Sequence, residues 1–132
     1  MLDLKSLIRT IPDYPKPGIL FRDITTLIEH PQGFKESVRR LAEAHQGLGI
    51  THVVGIEARG FIFGAGVAIE MGIGFVPIRK RGKLPGATIG QNYTLEYGVD
   101  TIEIHADVLN SAHKVLLIDD LIATGGTAVA AI

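Results

Sequence analysis

The chain has 132 residues, 46% of them hydrophobic and 20% charged, with a formal net charge of -1 and no cysteine. That length supports one domain around a single core and not two, and the low hydrophobicity and high net charge of disordered chains are both missing. Zero cysteines exclude a disulfide scaffold, a thiolate metal site and a cysteine nucleophile, and fit a reducing, cytoplasmic setting. Near-neutral charge argues against nucleic acid or a membrane surface as a general partner. The sign is unevenly spread, however: residues 1–83 hold twelve of the thirteen Lys and Arg against eight acids, and residues 84–132 hold Lys114 against six acids. Glycine is abundant, 16 residues without a collagen-like period, which suggests backbone brought close to a ligand or turned through positive φ.

No basic start leads into an uninterrupted apolar run, so a secretory signal is not expected. Leu4, Leu7, Ile8 and Ile11 recur at i, i+3, i+4 and i+7 behind Asp3, the pattern of a short capped amphipathic helix. Pro12, Pro15, Pro17 and Gly18 stop it, and DYPKPGILFRDIT (13–25) reads as a stiff, extended segment, because each proline fixes its own φ and biases its predecessor away from helix. Over 31–45, Phe34, Val38, Leu41, Ala42 and His45 line one face of a surface helix that Gly47 and Gly49 end.

THVVGIE (51–57) is short, β-branched and almost uncharged, as expected of a parallel strand buried on both faces. Residues 60–71 read as a glycine-punctuated buried helix and 74–78 as the next strand; Glu70, the glycines and Pro77 break any membrane-spanning pattern there. RKRGKLPG (79–86) reads as a basic turn, and 86–100, lacking a core pattern, as a long mobile loop. Ile102 and Ile104 alternate with Glu103 and His105 in a half-exposed strand over 101–107. Residues 114–119 form another buried strand, then 123–127 a loop, then a helix begins. The alternation predicts an α/β fold in one domain over 1–132, a mainly parallel central sheet flanked by helices, with ligands beyond the carboxyl ends of the strands.

Glu57-Ala58-Arg59-Gly60 and the segment from Asp119 to Thr127 both fall at such ends. In VLLIDDLIATGGTA (115–128), four apolar strand residues lead to two adjacent carboxylates, a short loop and Thr-Gly-Gly-Thr at a helix start. A loop feeding a helix N-terminus aims free N–H groups at one point, which suits a phosphate, and Gly125 and Gly126 allow close approach. Thr124 and Thr127 add hydroxyl donors. Asp119 and Asp120 can accept hydrogen bonds from vicinal hydroxyls or hold a magnesium shell. Acid pair and phosphate loop together describe a sugar phosphate. No GxxxxGK[ST] and no strand followed by GxGxxG is present, so the triphosphate loop and dinucleotide fingerprint lack support. The five histidines (30, 45, 52, 105, 113) have no zinc-site spacing, and the serines have no GxSxG context.

The stretch 115–128 resembles the 5-phosphoribosyl 1-pyrophosphate (PRPP) motif of type I phosphoribosyltransferases. YPKPGILFRDIT (14–25), GIEARGFIFG (55–64), RKRGKLPG (79–86) and LEYG (95–98) resemble the adenine-specific branch of that family. The likeness is collinear from about Ile11 to the last residue. It implies the type I fold with a mobile lid, and Mg2+-dependent conversion of adenine and PRPP to AMP and pyrophosphate in purine salvage.

Carried over by position, the resemblance gives Asp119 and Asp120 the ribose hydroxyls and Ala123, Thr124, Gly125, Gly126 and Thr127 the 5-phosphate. Glu57, Ala58 and Arg59 match the pyrophosphate loop, where the family often has a cis peptide between the first two; Arg59, Arg79 and Lys83 would neutralise pyrophosphate. Leu20, Phe21 and Arg22 match the adenine pocket, with Phe21 stacked on the base and Leu121 closing its other face. Glu96 and Tyr97 match the lid, Glu96 as the candidate for the purine proton and Tyr97 as a cover for the sugar. Magnesium would be held mainly by PRPP, with water linking it to Asp119 and Asp120. Members of the family are commonly homodimers and continue past the position of Ile132, so the resemblance also implies a C-terminally incomplete chain. Two alternatives share this fold: a catalytically silent regulator that binds PRPP or a nucleotide, against which Glu96, Arg59 and Lys83 weigh, and a transferase for another purine base, against which GILFRD (18–23) weighs.

Overall fold

The computed structural model describes residues 1–95 and 97–132. They fall into two compact units, Met1–Leu41 and Ala42–Ile132. In the first, Asp3 caps a single 3-10 turn, Leu4–Leu7, by accepting from Lys5 N at 3.1 Å. The amphipathic helix expected through Ile11 stops there. Instead Arg9–Pro12 forms strand β1, antiparallel to β2, Leu20–Asp23. Pro12 ends β1 and pairs with Leu20, Pro15 and Pro17 lie in the connection between these strands, and the Tyr14–Pro15 peptide is cis. Pairing with β2 outweighs four weakly placed apolar residues, a tertiary override of a local pattern. A one-turn helix α1, Thr25–Ile28, follows, then α2, Pro31–Ala44, close to the helix expected over 31–45.

The second unit is a five-stranded sheet. Its strands are β3 (His52–Ile56), β4 (Gly74–Lys80), β5 (Thr88–Leu95), β6 (Gly98–His105) and β7 (Val115–Ile118), in spatial order β5-β6-β4-β3-β7. The centre is parallel, β3 pairing with both β4 and β7, whereas β4 with β6 and β6 with β5 are antiparallel. The fold class is as expected, with a mixed sheet. Helix α3, Arg59–Met71, links β3 to β4, and α4, Gly126–Ala131, follows β7.

Two boundaries differ from the sequence reading in ways that matter to function. The basic turn starts later, since Arg79 and Lys80 belong to β4. The long loop over 86–100 is instead mostly β5, paired residue for residue with β6. Its side chains are largely exposed, so no apolar alternation marks it. Backbone hydrogen bonding to β6 defines the strand.

Strand alternation divides the core between two faces. Val54, Ile56, Val76, Ile78 and Ile102 form one buried cluster, against which Leu117, Ile104, Tyr93 and α4's Ala130 and Ala131 pack. The other face takes α3, where the Phe75 ring fills the space that glycines at two positions leave. A Cβ on Gly55 or on Gly64 would lie 2.7 Å from Phe75 Cε1. Val53 on this face and Val67 of α3 are fully buried. Val129 and Ile132, in the apolar tail, are exposed. No helix among the described residues is long and apolar enough to cross a membrane.

Candidate functional site

Because β3, β4 and β7 run parallel, their carboxyl ends share one edge of the sheet, and the segments leaving β3 and β7 meet there. A cleft of about 310 Å³ lies at this edge. Its lining includes Glu57, Ala58, Arg59, Arg79, Asp119, Asp120, Leu121 and Thr127, bringing together eight of the residues singled out in the sequence. All of them belong to the second unit.

The first wall is the turn between β3 and α3. Its Glu57–Ala58 peptide is cis, as the family resemblance led one to expect. Glu57 is tied to β4 from both ends: its N donates to Ile78 O at 3.0 Å, while its Oε1 accepts from Lys80 N at 2.7 Å and Arg79 Nε at 3.2 Å. Arg79 also lies 5.9 Å from the centroid of Phe61 in α3, inside the range of a cation–π contact. Arg59 Nε reaches across to Asp120 Oδ2 at 3.0 Å.

The second wall is the end of β7. Asp120 N donates to Asp119 Oδ1 at 2.8 Å. Burial pushes the Asp119 carboxyl up to about 6; a hydrogen bond shared with Asp120 and repulsion from that neighbour act the same way, against Asp120's backbone N–H and the Arg59 charge. Gly60 is what lets α3 start so close: a Cβ there would stand 3.0 Å from both Asp119 Oδ1 and Ile118 O. Asp119 is therefore seated against the first turn of α3.

Beyond it, the loop turns through left-handed backbone at Ala123 (φ 50°) and Gly125 (φ 87°), with Gly125 N donating to Ile122 O at 2.9 Å. Ala123, Thr124 and Gly126 are exposed. Lys83 is not among the residues lining the cleft; it sits in the turn after β4, its N donating to Lys80 O at 3.2 Å. Tyr97, at the tip of the β5–β6 hairpin, is 83% exposed, and Glu96 lies outside the described residues.

The expected base-binding residues Leu20, Phe21 and Arg22 lie on β2 in the first unit. Arg9 of β1 and Thr25 of α1 anchor this strand through Asp23: Thr25 Oγ1 donates to Asp23 Oδ1 at 2.7 Å and Arg9 Nε to Oδ2 at 3.0 Å. Those bonds, Thr25's first, hold the Asp23 carboxyl down to about 2. Phe21 meets Tyr14 edge to face at 5.2 Å, and Arg22 donates to Thr10 Oγ1. Leu20 is 57% exposed.

A family model described as phosphoribosyl transferase domain matches residues 24–132. The adenine phosphoribosyltransferase of Parvibaculum lavamentivorans is 62% identical over 131 residues, 99% of this chain and 75% of the relative. The chain belongs to the adenine phosphoribosyltransferase family. The family's solved structures agree with the fold: that from Thermoanaerobacter pseudethanolicus superposes with a TM-score of 0.92 at 48% identity, over 97% of this chain and 74% of its own. The Saccharomyces cerevisiae member, complexed with an imino-altritol bisphosphate and adenine, gives 0.91 at 41% identity, over 97% and 75%. The chain thus spans about three quarters of the length of these family members.

Three polar residues of the cleft escaped the sequence reading: Lys80, Asp100 and Tyr93. Lys80 falls in RKRGKLPG, which reads as a turn, and the other two carry no motif. The usable signal was the alternation Val76, Ile78, Lys80, which continues β4 and turns Lys80 onto the face of the buried cluster.

Proposed function

We propose that this chain transfers the 5-phosphoribosyl group of PRPP to adenine, forming AMP and pyrophosphate, as one phosphoribosyltransferase domain. The observation that carries the reading is the Arg59–Asp120 contact at 3.0 Å, by which the loop matching the pyrophosphate site and the motif matching the sugar site line one cleft. Support for adenine as the base comes from the relatives, named for adenine, and from the yeast neighbour solved with it.

In this reading a bond forms between a ring nitrogen of the base and C1 of the ribose while the bond from C1 to the pyrophosphate oxygen breaks, and the purine N–H proton passes to a base. Glu96 is the proposed acceptor. The ribose carbon gains cationic character and the leaving group gains charge, so the protein's task is positioning and electrostatic stabilisation. Asp119 and Asp120 accept from the ribose hydroxyls, and 123–127 takes the 5-phosphate. Arg59 and Arg79, with Lys83 from the adjacent turn, face pyrophosphate. Leu20, Phe21 and Arg22 are the residues proposed to recognise the base, and Tyr97 covers the sugar.

Adjacent carboxylates are hard oxygen donors of the kind magnesium takes. This donor set fits a magnesium ion: Asp119 and Asp120 would hold it through water, with PRPP as its main ligand, and it would supply positive charge against the leaving pyrophosphate. We also propose a homodimer, supported by exposed Ile62 and Ile69 on α3, and a cytoplasmic setting, with which the lack of cysteine agrees.

The test is product formation. Adenine and PRPP with magnesium yield AMP and pyrophosphate in equal amounts, and hypoxanthine at the same concentration competes poorly, because a pocket that pairs with a 6-amino group leaves a buried polar group unpaired against a 6-oxo group. Binding of PRPP without turnover would instead favour the silent-regulator alternative.

A further inference from the structure

The cleft has a third wall where β4 meets the antiparallel strands β6 and β5; of its polar residues Lys80 falls within RKRGKLPG, with no role assigned to it there, and Asp100 and Tyr93 fall in no motif. Alternation sets Lys80 of β4, Asp100 of β6 and Tyr93 of β5 on the same face as Ile78 and Ile102. In the observed register Lys80 lies opposite Ile102, and Asp100 opposite Tyr93, so Lys80 and Asp100 are diagonal neighbours within reach of a long side chain. Lys80 Nζ stands 3.1 Å from Asp100 Oδ2. The Tyr93 hydroxyl donates to the same oxygen at 3.3 Å, and Thr101 N donates to Oδ1 at 2.8 Å.

Both oxygens of Asp100 are therefore engaged, and the carboxylate fixes the end of a side chain that would otherwise wander in water. At its other end Lys80 is fixed as well, through its backbone N–H to Glu57 Oε1 at 2.7 Å. That second anchor places Lys80 beside the turn matched to pyrophosphate. The hydrogen bonds from Thr101 and Lys80 hold the Asp100 carboxyl below its ordinary range, and Asp100 in turn raises the Lys80 ammonium above its own, so both stay charged at neutral pH.

As a fold-stabilising pair this one has little value, because the Lys80 side chain is 56% exposed and exposed ion pairs contribute little. Its consequence is placement. A free lysine loses rotamer freedom when it closes on an anion, whereas one already held has lost much of it before the ligand arrives. We propose that Asp100, steadied by Tyr93 and Thr101, is a positioning residue that holds the Lys80 ammonium in the cleft for the pyrophosphate end of PRPP. The proposal rests on reading the cleft as a PRPP site, and adds to it a further cation and the acid that aims it.

The experiment is calorimetric binding of two ligands, PRPP with magnesium and ribose 5-phosphate, to the unsubstituted chain and to Lys80→Met, Lys80→Arg, Asp100→Asn and the Lys80→Met/Asp100→Asn double variant. Ribose 5-phosphate lacks the pyrophosphate, so its affinity stays within about twofold throughout. For PRPP, Lys80→Met weakens binding about tenfold, the effect of one lost charge-assisted contact. Lys80→Arg recovers most of that. Asp100→Asn weakens PRPP about threefold, and the double variant is no worse than Lys80→Met, because Asp100 acts only through Lys80. Equal weakening of both ligands, additive effects in the double variant, or PRPP binding indifferent to Lys80→Met each overturns the proposal while the PRPP site stands. An unsubstituted chain that binds neither ligand removes the PRPP reading, and this proposal with it.

Discussion

Asp119 at the end of β7 and Asp100 on β6 are the same residue type in the lining of the same cleft, yet their surroundings push them in opposite directions. Asp119 is partly desolvated and sits beside a second carboxylate, so its proton is held up to about 6. Asp100 accepts from a backbone N–H, a lysine and a tyrosine, and its proton is lost more easily than usual. The first is costly to ionise and is suited to meeting a ligand that relieves the cost, such as hydroxyl donors. The second is already satisfied by protein groups and is suited to organising one of them. Partners, not residue type, separate a ligand-facing acid from a positioning acid.

Removing the ligand-facing side of that contrast should have the largest effect. Asp119→Ala with Asp120→Ala deletes both proposed acceptors for the ribose hydroxyls, and PRPP affinity should fall about a hundredfold or more, since charge-assisted hydrogen bonds contribute roughly 1.5–3 kcal/mol each. Titration calorimetry reads this directly, and a loss of less than tenfold would remove the acid pair from the site. Next comes the seat of Asp119. Gly60→Ala sets a methyl 3.0 Å from Asp119 Oδ1 and Ile118 O; the cost of overpacking is about 1–3 kcal/mol, and PRPP affinity should drop about tenfold with a lowered denaturation midpoint. Unchanged affinity and midpoint would mean that the close approach of α3 to β7 is not needed. The smallest effect belongs to the positioning side, the threefold loss expected for Asp100→Asn.

The difference in legibility between these regions has a physical cause. Motif residues at the ends of parallel strands are readable because both strands appear as apolar runs, HVVGI and VLLI, and because the loops that follow need particular residue types; β3 is buried as expected, whereas β7, expected to be buried, lies at the sheet edge with Val115 exposed. Those features point to Asp119 and Asp120 and place 57–60 at a strand end; the role of 57–59 comes from the family resemblance, and the structure brings all of them to one cleft. The antiparallel wall was not readable. β5 is exposed along most of its length, so TIGQNYTL has no apolar period and reads as loop. The same blindness hid Lys80, Asp100 and Tyr93, whose meeting depends on strand register rather than on any local pattern. The amino end failed for a related reason: Leu4, Leu7, Ile8 and Ile11 fit a helical stripe, but the β1–β2 pairing that overrides it is a contact with residues 20–23. Glu57's bonds to Arg79 and Lys80 likewise link positions over twenty residues apart.

The most direct test of the account is PRPP affinity as a function of pH, measured between pH 5 and 8 in the unsubstituted chain, in Asp119→Asn and in Asp100→Asn. The sign follows from the shift. A carboxyl held up to about 6 is protonated across the lower half of this range and loses its strength as an acceptor there, so affinity should rise with pH through about 6. The ligand's own phosphate titrates nearby, and its contribution is common to all three proteins. The account predicts a further change of about tenfold between pH 5 and pH 7 that is present in the unsubstituted chain, kept in Asp100→Asn and absent from Asp119→Asn. Identical pH profiles in all three proteins, or a profile altered by Asp100→Asn and not by Asp119→Asn, would contradict it.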